Sequence, residues 1–487
     1  MIYFFRKHVR SILIVTLIFF ITPLLFYGSY SGFSGGRNKD QQQKPVAENA
    51  LAVINNEPIN PFKYSQLLRQ YLNNVQASGE EVDPYTMAAL QYQALMQTIE
   101  YELTVMKAKA EKVSASGSEV NGQIKAIADA NKLSIGDLKK YLKDQGYPFN
   151  RFRDDIRNEI AVTKFIRNHE GGIAISDEDL ERSLTQLKAS HILITDPDDA
   201  KALQKAKEML AQAQAGADFA KLAEQNSADT YSAKKGGDVG WFSAGMMVPE
   251  FETAAFTLNP GQIYPEPVKT TYGYHIIKLF DFKKTDLPPN IDATAYRKEL
   301  LDRKKSQAIN DLLKDIRQKS EIKVLSDTHL AYQLQSQGKF DEAVYKYRKL
   351  ATENPRSYIP YLFIGDLYSR TGKIDDALIA YKQAETIQEL NPQTKNSLVN
   401  LARGRAYIRQ GKQAEENKSA GEKDRNFRLA KEQFLIARDQ AKESILIHNE
   451  LKKAFEEIKA SSEAKLEELT VERLKKQKIE EAAAKQK

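Results

Sequence analysis

The chain has 487 residues, 41% hydrophobic and 28% charged, with 72 basic and 65 acidic side chains and a net charge of +7. That length exceeds what one core organises and implies several domains. Charges of both signs are intermixed, with no basic aromatic stripe and no zinc-finger spacing, which argues against a nucleic-acid partner. The lack of cysteine excludes disulfides, thiolate metal sites and cysteine nucleophiles.

The first element in chain order is apolar. Arg6, Lys7 and Arg10 precede an apolar run over 12–27 that only Thr16, Thr22 and Pro23 interrupt. A helix spanning a bilayer needs roughly 20 residues, and leading cations hold an N-terminus in the cytoplasm. A cytoplasmic stub and single transmembrane anchor are expected over 1–30, with the bulk of the chain exported. A cleaved signal peptide, with Ser29 and Ser31 near the cut, is the alternative. The polar stretch 31–46 reads as a flexible linker.

A short strand over 51–54 and a turn at Asn55-Asn56 follow. Helical periodicity begins near Pro61 and runs to about Gly171, with breaks at Ser78-Gly79, 114–118 and 146–148. Ser134 with Asp137 and Ser176 with Asp179 have the spacing of helix starts, the second a capping box. A helical domain over 47–185 is expected.

The texture changes at Lys188. Residues 189–194 read as a buried strand, 198–215 and 218–226 as helices, and 236–242 as a glycine-rich segment. A helix over 249–256, a turn at Pro260-Gly261 and strands around Val268 and 275–279 complete a small α+β domain over 186–284. Pro288-Pro289 ends it. A helix over 293–319 and a strand over 321–325 come next.

A repeat then begins. Gly338, Lys339, Asp341, Ala343 and Tyr347 recur as Gly372, Lys373, Asp375, Ala377 and Tyr381, and Ala331 recurs as Gly365, each at an offset of 34 residues. A third, interrupted unit holds Gly404, Tyr407 and Gly411, then Ala430, Phe434 and Ala437. Small residues at these places let paired helices approach, and the tyrosines fill the space between pairs. The pattern, assigned to 326–446, resembles tetratricopeptide repeats. The tail, 447–487, is charged and, from Glu450, free of glycine and proline; it reads as one long helix.

Metalloprotease, P-loop and nucleophile-elbow motifs are missing, and no two of the six histidines have metal-ligand spacing. What remains is a pair of histidines, His191 and His275, each mid-strand and each followed by an apolar run. A lone strand histidine is usually a satisfied core residue; two suggest neighbouring strands and a shared hydrogen-bond network.

Four blocks carry a resemblance: Ala189-Ser-His-Ile-Leu, Ser232-Ala-Lys-Lys-Gly-Gly-Asp-Val-Gly-Trp-Phe, Met247-Val-Pro-Glu-Phe and Tyr272-Gly-Tyr-His-Ile-Ile. In order and spacing they resemble the parvulin-type peptidyl-prolyl cis-trans isomerases. The resemblance implies that His191 and His275 are the paired active-site histidines, with Asp229 facing them and Thr270 joining their network. Val239, Met247 and Phe251 become the wall that holds the proline ring, while Trp241 and Phe256 are expected to be ordinary core. No cofactor or metal is implied. Some parvulins select a phosphate with a basic cluster after the first strand; here Asp196, Asp198 and Asp199 stand there, which implies no phosphate requirement.

The wider layout resembles SurA-type chaperones and, with an anchor, membrane-tethered PpiD-type foldases. It implies that 322–325 pairs with 51–54, that 285–325 completes the chaperone domain, and that the parvulin domain is an insertion. The fold class expected is multidomain and mainly α: an N-terminal transmembrane helix, a helical chaperone domain, an inserted α+β parvulin domain with a small antiparallel sheet, tetratricopeptide-like repeats and a long terminal helix. The partners implied are unfolded or nascent exported polypeptides containing proline, a protein at the repeats, and the membrane. The location implied is the bacterial inner membrane, single-pass, with the bulk in the periplasm or exterior, or a secreted or periplasmic form after signal cleavage. The rival reading is a non-catalytic envelope scaffold that uses the parvulin fold only to grip extended chains.

Overall fold

The computed structural model describes residues 50–485 apart from 79, 145, 288–290 and 395. The expected anchor and linker lie outside these residues. Among the described residues no helix is long and apolar enough to cross a membrane. The chain forms two compact units, one of Ile166–Leu312 and one of the residues before and after it.

In the first unit, β1 (Ala52–Ile54) lies between β2 (Glu57–Pro58) and β7 (Ile322–Val324) in an antiparallel sheet. Ala52 faces Val324 and Ile54 faces Ile322, the pairing that the resemblance implies. The β1–β2 turn puts Asn55 and Asn56 at φ +50° and +69°, a backbone region that asparagine tolerates better than most side chains.

Helix starts in this unit follow local chemistry. Asn60 accepts from the N–H groups of Phe62 and Lys63 to begin α1 (Pro61–Ala77), and Asp83 caps α2 (Pro84–Ala110). Proline at the first helical position loses no needed donor. Ser116 and Glu119 form a reciprocal box at α3 (Gly117–Ala130). Ser134 and Asp137 do the same at α4 (Ile135–Asp144). Val120, Ile124, Leu138, Leu142, Phe152 and Ile156 bury one core among α3, α4 and α5 (Phe149–Glu170).

Three helix pairs follow β7: α12 (Asp327–Ser336) with α13 (Phe340–Glu353), α14 (Ile359–Arg370) with α15 (Ile374–Leu390), and α16 (Leu398–Glu416) with α17 (Ala420–Ala441). The 34-residue offset is written into the backbone. Gly338 and Gly372 have φ +76° and +79°, and Lys339 and Lys373 share φ/ψ of −83°/64° and −82°/65°. A Cβ on Gly365 would lie 2.4 Å from the Tyr381 ring, and one on Gly404 2.3 Å from Phe434. The small residues therefore do admit the facing aromatic rings. The repeats also pack on the N-terminal helices: Tyr64 bonds His329 at 2.9 Å, and Tyr92 meets Tyr332 at 5.3 Å.

The long terminal helix is corrected to two, α18 (Ile445–Glu457) and α19 (Ser461–Lys485), which fold onto each other. Lys459 takes φ +60°, its N–H reaching Glu456 O and that of Ala460 reaching Phe455 O. These bonds end a helix without glycine. Leu451, Phe455, Ala464, Val471 and Leu474 are buried, so apolar burial drives the reversal that no breaker residue announced.

The second unit holds α6 (Asp177–Ser183), β3 (Thr185–Ile194), α7 (Asp199–Gln214), α8 (Phe219–Asn226), α9 (Thr230–Ala233), β4 (Asp238–Ser243), α10 (Pro249–Ala255), β5 (Val268–Thr270), β6 (Gly273–Lys284) and most of α11 (Ala293–Gln318). The sheet is antiparallel in the order β4-β3-β6-β5. Two readings are corrected here. β3 starts at Thr185, before Lys188, and the glycine-rich 236–242 carries the edge strand β4. Trp241, expected in the core, is 38% exposed with the Lys283 ammonium 4.5 Å from its ring centroid. On an edge strand the outward position faces solvent. Phe256 is half-buried on the core with Arg182 over its ring.

Central β3 is covered on both faces. Ile192 and Ile194 pack with Ala206, Leu210 and Phe219 on one side. Leu187 and Ala189 pack with Phe242, Phe251 and Ile277 on the other. Ser176 and Asp179 form the expected capping box at α6, and Lys304 of α11 reaches Asp179 at 2.8 Å.

Candidate functional site

The register of β3 on β6 sets His191 opposite Ile277 and Leu193 opposite His275. The histidines are therefore diagonal neighbours on one sheet face, within reach of each other. Their rings stack with centroids 5.1 Å apart, and the Nδ1 atoms are 2.9 Å apart. Both are buried, at 6% and 5% exposure.

A loop pinned to β3 supplies the third group. Ala228 N–H donates to Leu193 O at 2.7 Å, and Leu193 N–H donates to Ser227 Oγ at 3.0 Å. This places Asp229 Oδ2 2.9 Å from His191 Nε2. Asp229 has two tasks. Its Oδ1 caps α9 by accepting from the N–H groups of Tyr231 and Ser232, while Oδ2 faces the site. On the far side, Thr270 Oγ1 lies 2.8 Å from His275 Nε2 and accepts from Tyr272 N–H at 3.1 Å. All four predicted polar residues are thus joined in one line.

Sequence reasoning missed Ser232. Its hydroxyl donates to Asp229 Oδ2 at 2.6 Å and lies 3.1 Å from His191 Nε2. The available signal was its place three residues after a capping aspartate. Gly237 was also unassigned. Its carbonyl accepts from His191 N–H at 2.9 Å, its φ is +81°, and a Cβ there would lie 2.4 Å from His191 O. Only glycine brings this loop so close to β3.

The titrating groups are held apart. Burial, then the nearby His191, pushes the His275 imidazole down to about 4, with Asp229 opposing. Burial acts to raise Asp229, but bonds from the Ser232 hydroxyl, His191 and the Ser232 N–H overcome it and hold the carboxyl at about 2. An ionised carboxylate only accepts. One assignment of tautomers then gives every nitrogen a partner: Thr270 O–H to His275 Nε2, His275 Nδ1–H to His191 Nδ1, and His191 Nε2–H to Asp229.

Phe251 is buried and meets both histidine rings edge-on, at 5.8 Å and 5.6 Å. Val239 and Met247 are half-buried on the same cluster and present apolar surface beside it.

Comparison with known proteins follows this geometry. Residues 177–283 match the model of the PPIC-type peptidyl-prolyl isomerase domain, and residues 1–166 that of the SurA-like N-terminal domain. Foldase protein PrsA 2 of Bacillus cereus is 35% identical over 229 residues, covering 46% of this chain and 74% of the relative. The chain belongs to the PrsA foldase family. It is a parvulin-type peptidyl-prolyl cis-trans isomerase with chaperone function. Chaperone SurA of Burkholderia orbicola is 29% identical over 262 residues, and this foldase spans 57% of that relative's length. Among solved structures, PrsA of Bacillus anthracis is 30% identical, covering 46% of this foldase and 96% of that chain, at a TM-score of 0.25. The parvulin of Nitrosopumilus maritimus is 42% identical, covering 20% of this foldase and 97% of that chain, at a TM-score of 0.18.

Proposed function

We propose that His191, His275, Asp229 and Thr270 shape the field and hydrogen bonds of a non-covalent isomerisation site, and that Val239, Met247 and Phe251 hold the proline ring. The observation that carries this reading is the unbroken line of short contacts from Thr270 through both histidines to Asp229. Rotation about the amide faces a barrier of about 18–20 kcal/mol from C–N conjugation. Twisting removes that conjugation, and charge returns from the carbonyl oxygen to the nitrogen. An apolar wall solvates the planar, dipolar amide poorly and so favours the twisted state. Preset dipoles then add stabilisation specific to that state. No bond to carbon breaks, and no side chain serves as nucleophile.

Asp198 caps α7 and Asp199 pairs with Lys269 and with the Tyr274 hydroxyl. This acidic segment supports phosphate-independent action on Xaa-Pro bonds. The clients are unfolded, exported, proline-containing polypeptides. Tyr231, Met246 and Tyr272, each beside a site residue in sequence, are exposed and available to flanking client residues.

The domain division is 47–185 and 285–325 for the chaperone part, 186–284 for the isomerase, 326–446 for tetratricopeptide-type repeats, and 447–487 for the tail. Matched backbone angles one repeat apart support the repeat assignment. The repeats are where a partner other than the client docks. The cations before the apolar run 12–27 support a membrane-anchored, PpiD-like layout in the bacterial envelope, with signal cleavage as the alternative.

The test is a protease-coupled isomerisation assay on the full chain. His191→Ala with His275→Ala should lower the catalysed rate by at least about 100-fold. Unchanged activity in a folded double variant overturns the assignment, and a rate preference for phosphoserine-proline overturns phosphate independence.

A further inference from the structure

The face that the repeats turn to the N-terminal helices is already filled. Tyr85 of α2 meets Phe363 of α14 edge-on at 5.3 Å and 86°, and Ala88 packs into the same cluster. Glu81 bonds Ser444 at the start of α18. A partner docking on the repeats therefore needs another surface.

A recess elsewhere on the repeats is open. Between α14 and α16 lies a cleft of about 540 Å³ lined by Ser369, Arg370, Ile374, Arg409, Lys412 and Glu416, among others. Three cations face one carboxylate there. Arg370 and Arg409 make no close ion pair among the described residues, although Arg409 acts at longer range on the buried Asp366 carboxyl, and the neighbouring repeat cations are paired: Arg403 with Glu385, Arg405 with Glu450, Lys346 with Asp327. Lys412 pairs with Glu457.

Both guanidiniums are held in place. Arg409 donates to the Oγ of buried Ser369, and the Arg370 guanidinium sits 5.3 Å from the centroid of the Phe340 ring. Both stand five residues after a helix-packing glycine, Gly365 and Gly404, whereas the equivalent place after Ala331 is the neutral Ser336. The repeat architecture therefore does not require cations here. A planar guanidinium matches a carboxylate in a two-point fork. A recess with an apolar floor at Ile374 suits an extended peptide better than a flat lipid surface.

We propose that this cleft binds an extended acidic peptide segment of a partner protein, with Arg370 and Arg409 pairing its carboxylates. The proposal rests on the reading of the repeats as a partner-docking element and names the chemistry of the partner.

The test is fluorescence anisotropy on the full chain with a labelled decapeptide of Asp, Glu and Gly, and its matched Asn, Gln and Gly peptide. The acidic peptide should bind, more weakly as salt rises. Arg370→Ala with Arg409→Ala should weaken binding by about tenfold or more, with isomerisation of a Xaa-Pro peptide unchanged. Acidic-peptide binding that the double variant retains overturns the proposal. So does preference for vesicles containing anionic phospholipid over the peptide. The neutral peptide bound as well as the acidic one overturns the acidic chemistry but leaves a docking surface; no peptide bound at all overturns both.

Discussion

Two buried histidine systems in this chain have opposite electrostatics. In the isomerase unit His275 bonds only a second histidine and a hydroxyl, and burial pushes it down to about 4. In the terminal helix pair His448 bonds the buried carboxylate of Glu467 at 2.5 Å and Lys442 O at 3.0 Å, and is pushed up, first by the Glu467 bond. Both rings are shielded from solvent, so exposure alone does not separate them. The partner does. Two acceptors favour the protonated form of His448, whereas His275 is pushed toward its neutral form within a relay of dipoles.

The sharpest way to break this comparison is to remove the carboxylate. Glu467→Ala leaves buried His448 without its carboxylate and should cost about 3–5 kcal/mol in urea unfolding followed by far-UV circular dichroism. Glu467→Gln, which retains an acceptor, should cost less. Equal losses would show that the pair is not ionic.

The pH dependence of the two histidines should separate them next. The unfolded imidazole of His275 takes a proton near 6.5, but the folded one only near 4. Stability of the isomerase unit is therefore complete above about pH 6.5 and falls as pH drops toward 4, by about 2–3 kcal/mol. Trp241, the one tryptophan of the chain, reports this unit by fluorescence. His275→Gln should flatten that acid limb.

The sign reverses for His448. Its raised value means that stability is fully present below about 6.5 and lost as pH rises through the folded value. Melting of the helical unit at pH 6 and pH 9 should differ in the wild type and not in His448→Gln. A shared slope for both units between pH 6 and pH 9 would remove the distinction; toward pH 4 both lose stability, because burial also pushes His329 of the helical unit down to about 4. Smallest is Thr270→Val, which leaves His275 Nε2 without its donor at a cost of about 1 kcal/mol. Thr270→Ser should restore both stability and isomerisation.

Much of the site was legible because its residues lie in short, ordered blocks. His191 and His275 stand mid-strand before apolar runs, and an antiparallel register brings such residues together whatever the loops do. Ser232 was missed, because its place three residues after a capping aspartate does not say that a single turn of α9 aims its hydroxyl at Asp229. Nor was Gly237, whose meaning is a 2.4 Å approach to a strand remote in sequence. Trp241 was misplaced because a glycine-rich segment does not reveal that it pairs as an edge strand.

In the helical unit the contrast is similar. The sequence alone determined the helix starts near Pro61 and at Ser134, since a helix start is satisfied within four residues. It also determined the repeat period, because close approach at Gly365 and Gly404 demands small residues at fixed places. Only tertiary structure decided that the tail folds back at Lys459 and that the repeats pack on α2. It alone decided which histidine is pushed toward its charged form. Those outcomes depend on which distant surfaces and carboxylates meet, and a local pattern of residues does not record that.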